Sequence, residues 1–338
     1  MNSNKSLSRK ERESNLELLR IVAMVLVMFG HTHLRMHPMS QSGMELCSIL
    51  NIVSSCISTM GVGIFISISG WFGIMFKVSG LTKYIFQILF VLWAVYGLAI
   101  TLGYAGLSFE GIKVSIGLYD GYWFIIGYLG LYLISPVLNV FIDKATKKEY
   151  QVLLLSLLLF QCVYSWLTAW YDYYNGYSII LFAVIYLTAA YFRKFPIAWV
   201  EKHAHWLFII TVVVMAAIAT LSLWKFGNAA RQIRDDNPLV VLGGILLLLS
   251  FKKLKFHSKI VNWLAASCFT VYLLHYSPFA YPHLMAIMRE VYAQYDGAIY
   301  CLVLLMFLIA VYFCCTLFDQ LRILAWRSLS WFMNKKEI

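Results

Sequence analysis

Residues 16–34 read LELLRIVAMVLVMFGHTHL, an apolar stretch that carries three ionisable side chains and, one residue before its end, a further histidine, His33. The stretch is long enough to cross a bilayer, since a transmembrane helix needs roughly 20 mainly apolar residues. The three side chains are those of Glu17, Arg20 and His31. Ionisable groups within a membrane span are costly and are therefore candidates for function. The stretch predicts a membrane-spanning helix that also contributes to a functional site.

The rest of the chain has the same apolar character. Of its 338 residues, 61% are hydrophobic and only 13% are charged, whereas a soluble domain has about a quarter of its residues charged. Further apolar stretches lie near residues 46–76, 84–106, 121–142, 150–170, 177–192, 205–225, 237–251, 260–281 and 299–320. The sequence therefore predicts an all-α, polytopic integral membrane bundle of about ten transmembrane helices.

The basic residues are distributed unequally between the two sides of the predicted bundle. If the connections alternate between the sides, the side that holds the N-terminus carries 20 of the 27 Lys and Arg residues, and the other side carries 6. Cytoplasmic loops are enriched in Lys and Arg, so we expect both termini to be cytoplasmic. The net charge of +11 is then explained by orientation, and no nucleic-acid partner is predicted. We expect a cytoplasmic tail over residues 1–15, a transmembrane domain over 16–320 and a second cytoplasmic tail over 321–338.

The three ionisable side chains of the first span fall on one stripe of the helix. Arg20 and His31 are eleven positions apart, so their azimuths differ by about 20° and their heights by roughly 16 Å. Glu17 lies one turn before Arg20. The two ends of this stripe could serve the two ends of one elongated ligand. The alternatives are an ion pair that anchors the helix end and a histidine that only packs. His31 and His33 point to opposite faces, so no metal site is predicted.

A second histidine is expected at the depth of His31. The ninth apolar stretch ends in Val271-Tyr272-Leu273-Leu274-His275 and runs in the same direction as the first. His275 and His31 both lie about 22 Å from the start of their spans, so the two imidazoles are expected to meet in the outer half of the membrane. Tyr272 shares the face of His275. The alternative is a belt of amphipathic rings at the interface.

Two further stretches contain candidate binding residues. The segment 61–73 of the second span is rich in Gly and includes Ser67 and Ser69. Small residues there indicate either close helix packing or a backbone that approaches a ligand, with the serine hydroxyls as donors. Trp123 opens the fourth span and is either part of an interfacial belt or a platform for a sugar ring.

Taken together, these stretches resemble acyltransferase family 3, a family of ten-span membrane O-acyltransferases that modify surface polysaccharides and related glycans. Asn15–Arg20 with His31 is similar to its Arg-x10-His signature, and residues 61–71 resemble its glycine-rich "VGxFFxxSG" segment. Residues 122–136 resemble its fourth-span pattern, and Val271–His275 resembles its "YLLH" ending. The four motifs occur in the family's order and extend over nearly the whole chain.

The resemblance implies a multi-pass protein of the bacterial cytoplasmic membrane. It implies an acyl-CoA, usually acetyl-CoA, as a cytoplasmic donor substrate, no bound cofactor, and a glycan or lipid-linked sugar as acceptor, among membrane lipids. His31 would be a general base or would itself be acylated transiently. The expected catalytic residues are Glu17, Arg20, His31 and His275, and the expected binding residues are Ser67, Ser69, Lys77, Lys83, Trp123 and Tyr272. Lys77 and Lys83 stand where many members have an Arg-x-x-Arg pair, and a lysine meets a phosphate without the arginine fork.

A transporter or flippase for a lipid-linked glycan is the alternative to an enzyme. It would also need a buried arginine, a buried histidine and a long cavity. We find no internal repeat between the first and second five spans, which is mild evidence against a transporter built from inverted repeats. A purely structural subunit is disfavoured by the number of ionisable residues within the spans.

Overall fold

The computed structural model describes residues 13–37, 46–168 and 178–335, and all regular secondary structure in these ranges is helical. In chain order the helices are α1 Ser14–His31, α2 His33–Met36, α3 Leu46–Phe72, α4 Val78–Thr101, α5 Phe109–Ser115, α6 Trp123–Lys144, α7 Lys147–Leu158, α8 Ser165–Thr168, α9 Ile179–Lys194, α10 Ala198–Phe226, α11 Pro238–Phe251, α12 Lys259–Ala265, α13 Cys268–His275, α14 Tyr281–Gln294 and α15 Gly297–Lys335. A π-helical segment, Leu159–Tyr164, joins α7 to α8.

Seven helical stretches within the described ranges are long and apolar enough to cross a membrane. They are Ser14–Met36, Ser48–Phe72, Val78–Thr101, Phe109–Lys144, Lys147–Thr168, Ala198–Phe226 and Gly297–Trp331. The protein is therefore a multi-pass membrane protein. The other three predicted spans are also helical but shorter: α9 has 16 residues, α11 has 14, and the ninth stretch forms the separate helices α12 and α13. At 1.5 Å per residue, α11 is about 21 Å long, so the ten-span count stays a prediction.

Capping residues set the start of several helices. The Thr146 hydroxyl accepts a hydrogen bond from the backbone N–H of Glu149, whose carboxylate accepts from the N–H of Thr146, which makes a capping box at α7. The Ser178 hydroxyl caps α9. Asn237 caps α11, and Pro238 occupies the first helical position, where its missing N–H costs nothing. The chemistry of these residues therefore accounts for where the three helices begin.

Helix α3 forms the centre of the bundle and packs between α1 and α9. A Cβ atom on Gly61 would lie 2.8 Å from Val27 Cγ2, and one on Gly70 would lie 2.3 Å from the carbonyl oxygen of Tyr186. At these distances only glycine fits, because any side chain would collide with the neighbouring helix. Small residues are common where membrane helices pack closely. Close packing therefore explains Gly61 and Gly70. It holds α1, and with it Arg20 and His31, in a fixed position.

The ends of α1, α3, α9 and α11 meet in hydrogen bonds at one end of the bundle, where Arg193 and Lys252 also lie. Asn15 at the start of α1 donates to the carbonyls of Phe251 and Lys252 at the end of α11, 3.2 Å away in each case. Arg193 near the end of α9 donates to the carbonyl of Trp71 at the end of α3, at 2.7 Å. We call this end of the bundle the basic end. Which side of the membrane it faces stays a prediction from the charge pattern.

Candidate active site

A cavity of about 360 Å³ lies inside the bundle between α1, α3, α4, α6 and the pair α12 and α13. Arg20 and His31 both line it, which agrees with their common stripe on α1. Arg20 lies nearer to the basic end, and His31 lies at the end of α1. Tyr84, Phe124, Tyr128, Phe269 and Tyr272 contribute aromatic walls. The cavity is thus mostly apolar, with a cation at one end and an imidazole at the other.

His31 is hydrogen-bonded to His275 within this site. Nδ1 of His31 lies 2.9 Å from Nε2 of His275, and Nδ1 of His275 lies 2.7 Å from the carbonyl oxygen of Val271. A carbonyl oxygen can only accept, so Nδ1 of His275 must carry the proton of that hydrogen bond. In a neutral imidazole the other nitrogen, Nε2 of His275, is then an acceptor. It accepts from Nδ1–H of His31. The lone pair of the His31 imidazole is then on Nε2, the nitrogen that remains for a ligand.

Two tyrosines hold the C-terminal end of α1 in place. The ring of Tyr276 stacks on the ring of His31 with centroids 4.0 Å apart. The Tyr281 hydroxyl donates to the backbone carbonyl of His31 at 2.5 Å, where α1 ends and a carbonyl needs a partner from outside the helix. Neither tyrosine was predicted from the sequence, because their positions depend on the end of α13 at His275 and the turn before α14, where one continuous span was expected.

The other predicted catalytic pair is an ion pair. Nη1 of Arg20 donates to both carboxylate oxygens of Glu17 at 3.1 Å. The Arg20 side chain is 33% exposed and lines the cavity, whereas that of Glu17 is only 8% exposed and does not. Glu17 therefore orients Arg20 from behind. The guanidinium keeps further N–H donors for a ligand in the cavity.

The predicted binding residues separate into three groups. Ser69, Trp123 and Tyr272 line the cavity with Arg20 and His31. Ser67 does not, because it is buried and its hydroxyl donates to the carbonyl of Gly63 at 2.7 Å. The two lysines lie outside this cavity: Lys77 is exposed, and Lys83 lines a second cavity at the basic end.

A buried polar network beside the site was missed at the sequence level. Asp319 on α15 accepts two hydrogen bonds from Arg322, both at 2.8 Å. It also accepts from the Ser267 hydroxyl at 2.8 Å and from the Thr270 hydroxyl at 2.5 Å. Gln87 of α4 donates to the Thr270 hydroxyl at 2.9 Å. The sequence does contain one indication of this network: Asp319 is an acidic residue at the end of an apolar span, and such residues usually have a buried partner.

Metal-ion chemistry was not predicted, and the described residues contain no group of three or more His, Cys, Asp or Glu side chains placed to hold a metal ion. The site consists of a histidine pair, an arginine with its carboxylate, and hydroxyl and indole groups around one cavity. Such a site in a multi-pass helical bundle is suited to bind a long ligand that has an anionic or polar group near one end and a reactive group near a base.

The comparison with protein families agrees with the sequence motifs. The model of acyltransferase family 3, described as an acyltransferase domain, matches residues 13–325. This match extends over nearly the whole chain, and the chain therefore belongs to this family. The comparisons with curated proteins and with solved structures gave no match.

Proposed function

We propose that the protein is a membrane O-acyltransferase. It would move an acyl group, most simply acetyl, from a cytoplasmic acyl-CoA to a hydroxyl of a surface polysaccharide or its lipid-linked precursor. The observation that carries the proposal is the single cavity that holds both Arg20 and the His31–His275 pair. Membership of an acyltransferase family supports the reaction class. The proposal includes ten spans in the bacterial cytoplasmic membrane, with both termini in the cytoplasm.

The proposed chemistry uses His31 as a general base. Nε2 of His31 takes the proton of the acceptor hydroxyl, and the oxygen attacks the carbonyl carbon of the thioester. The C–S bond breaks, and the coenzyme A thiolate receives the proton from the imidazolium. An ester and free coenzyme A are the products. His275 acts as a positioning residue, because its Nε2 accepts from Nδ1–H of His31 and so keeps the His31 lone pair on Nε2.

The other cavity residues would bind the two substrates. Arg20, fixed by Glu17, would hold a carbonyl or anionic group of a substrate. The Trp123 indole would support a sugar ring, since flat aromatic faces pack well against apolar ring surfaces. The Ser69 hydroxyl donates to the carbonyl of Phe65 and the Tyr272 hydroxyl to that of Gly121, so both would accept hydrogen bonds from acceptor hydroxyls. Ser67 has no place in this proposal, because it is buried and does not line the cavity.

The test is a transfer assay with the purified protein in nanodiscs, with acetyl-CoA labelled in its acetyl group and a glycan extract of the host as acceptor. We expect the label in an ester on the glycan, released by mild base. Movement of a lipid-linked glycan across the membrane without any acyl donor, and with no label transferred, would favour the flippase alternative. Label that remains on the wild-type protein but not on His31→Ala in the absence of acceptor would show that His31 is acylated rather than acting as a base.

A further inference from the structure

A second cavity of about 720 Å³ opens at the basic end between α4, α12 and α15. Three cationic side chains line it, those of Lys83, Arg322 and Arg327, together with the indoles of Trp263 and Trp326. No acidic side chain is among its lining residues in the described part of the chain. Asp319 binds Nε and Nη2 of Arg322 from behind, which leaves Nη1 for a ligand. The cavity is suited to a flat, polyanionic ligand.

The two cavities adjoin each other. Gln87 and Ala266 line both of them, so the second cavity lies between the basic end and the site of Arg20 and His31. Ala266 stands in the break between α12 and α13. Non-helical backbone within a membrane protein is tolerated where it lines a cavity or is buried in protein. The break between α12 and α13 therefore lies where a ligand could extend from one cavity into the other.

Hydrogen bonds from side chains hold the break between α12 and α13 in place. The Ser267 and Thr270 hydroxyls donate to Asp319, and the amide nitrogen of Gln87 donates to the Thr270 hydroxyl. The amide oxygen of Gln87 remains as an acceptor at the junction of the two cavities. A ligand with amide N–H groups could donate to it while passing from one cavity to the other.

We propose that this second cavity binds the nucleotide end of the acyl-CoA, and that the junction at Gln87 and Ala266 admits its amide-containing arm. The inference rests on the proposed acyl transfer. The phosphates would meet Lys83, Arg322 and Arg327, and the purine would lie against the indoles. The thioester would then enter the first cavity, where His31 lies. Lys77, which was expected to bind the donor, lines neither cavity.

Arg327 gives the sharpest test, because it is exposed on α15 and is not part of the buried network. The binding of coenzyme A and of pantetheine, which lacks the nucleotide, is measured by calorimetry on the protein in zwitterionic nanodiscs. For Arg327→Ala we expect the Kd of coenzyme A to rise at least about tenfold, or about 1.4 kcal/mol. The Kd of pantetheine should not change. Lys255→Ala, at an exposed basic position outside the cavity, is the matched control.

The outcomes separate this inference from the proposed function. An unchanged Kd of coenzyme A in Arg327→Ala, with wild-type binding intact, would overturn the nucleotide site and leave acyl transfer standing. Arg327-dependent binding of anionic lipid, with no such dependence for coenzyme A, would assign the cavity to a lipid headgroup and overturn it as well. His31→Ala should bind coenzyme A like the wild type but transfer no acetyl group. A wild-type protein that does not bind coenzyme A would contradict both proposals.

Discussion

Nδ1 of His31 lies 2.9 Å from Nε2 of His275, although the two residues are 244 positions apart in the chain. His275 in turn donates from Nδ1 to the carbonyl oxygen of Val271. This order of donors places the lone pair of His31 on Nε2. The relationship gives His31 a defined tautomer, which the proposed role as a general base requires.

His275→Ala is expected to lower the kcat of acetyl transfer by about tenfold or more, because His31 loses the acceptor that selects its tautomer. The affinity for coenzyme A should stay at the wild-type value. His275→Gln should recover part of the rate, since its amide oxygen can accept from Nδ1–H of His31. A kcat of His275→Ala equal to that of the wild type would remove His275 from a positioning role.

Arg20→Lys is expected to lower transfer activity per inserted molecule at least about tenfold, or roughly 1.4 kcal/mol of transition-state stabilisation. The reason is that the planar guanidinium binds both oxygens of Glu17 and still has donors for a ligand, whereas lysine offers a single ammonium group. Membrane levels should be normal. Arg289→Lys, at an exposed position on α14, is the control and should be silent. Wild-type activity in Arg20→Lys would mean that Arg20 only anchors the helix.

Asp319→Ala is expected to destabilise the protein by about 3 kcal/mol, because it leaves the buried Arg322 without a counter-charge. Unfolding of the purified protein in detergent measures this change. The double variant Asp319→Leu with Arg322→Met should be more stable than Asp319→Ala. Glu110→Ala, which breaks an exposed ion pair with Lys113, should cost less than about 1 kcal/mol. Equal effects of Asp319→Ala and Glu110→Ala would show that the buried network contributes little.

The predicted ten-span topology can be tested with reporter fusions. Reporters fused after residues 40, 115, 174, 230 and 290 should all be found outside the cytoplasm, since the positive-inside rule assigns the basic end to the cytoplasm. Two or more reporters found inside would contradict the ten-span arrangement. The positions after 174 and 230 matter most, because they flank the short helices α9 and α11.

Hydrophobic periodicity and residue chemistry predicted the helical membrane bundle and the common stripe of Arg20 and His31 on the first helix. The first follows from the length of the apolar stretches, and the second from the rotation of about 100° per residue in an α-helix. The meeting of His31 with His275 was also predicted, because two spans that run in the same direction bring equal depths together. The family resemblance then supplied the reaction class.

The break between α12 and α13 was not predicted. The residues Ala265-Ala266-Ser267-Cys268 are small and contain neither Gly nor Pro, so they give no local sign of a helix end. What stabilises the break is Asp319, which accepts from the Ser267 hydroxyl 52 positions away. Contacts of this kind, like that of Tyr281 with His31, depend on tertiary packing. The contact between the two cavities at Gln87 and Ala266 was therefore not predictable from the sequence.

The central claim is that His31 is the base that activates the acceptor hydroxyl. Its most direct test is the rate of acetyl transfer from acetyl-CoA by His31→Ala, per molecule inserted in the membrane, beside His205→Ala at an exposed position on α10. General-base assistance contributes about 100- to 10,000-fold, so His31→Ala should lose at least about 99% of the wild-type rate while it still binds coenzyme A. His205→Ala should keep the wild-type rate. A folded His31→Ala variant that retains more than about a tenth of the wild-type rate would contradict the account.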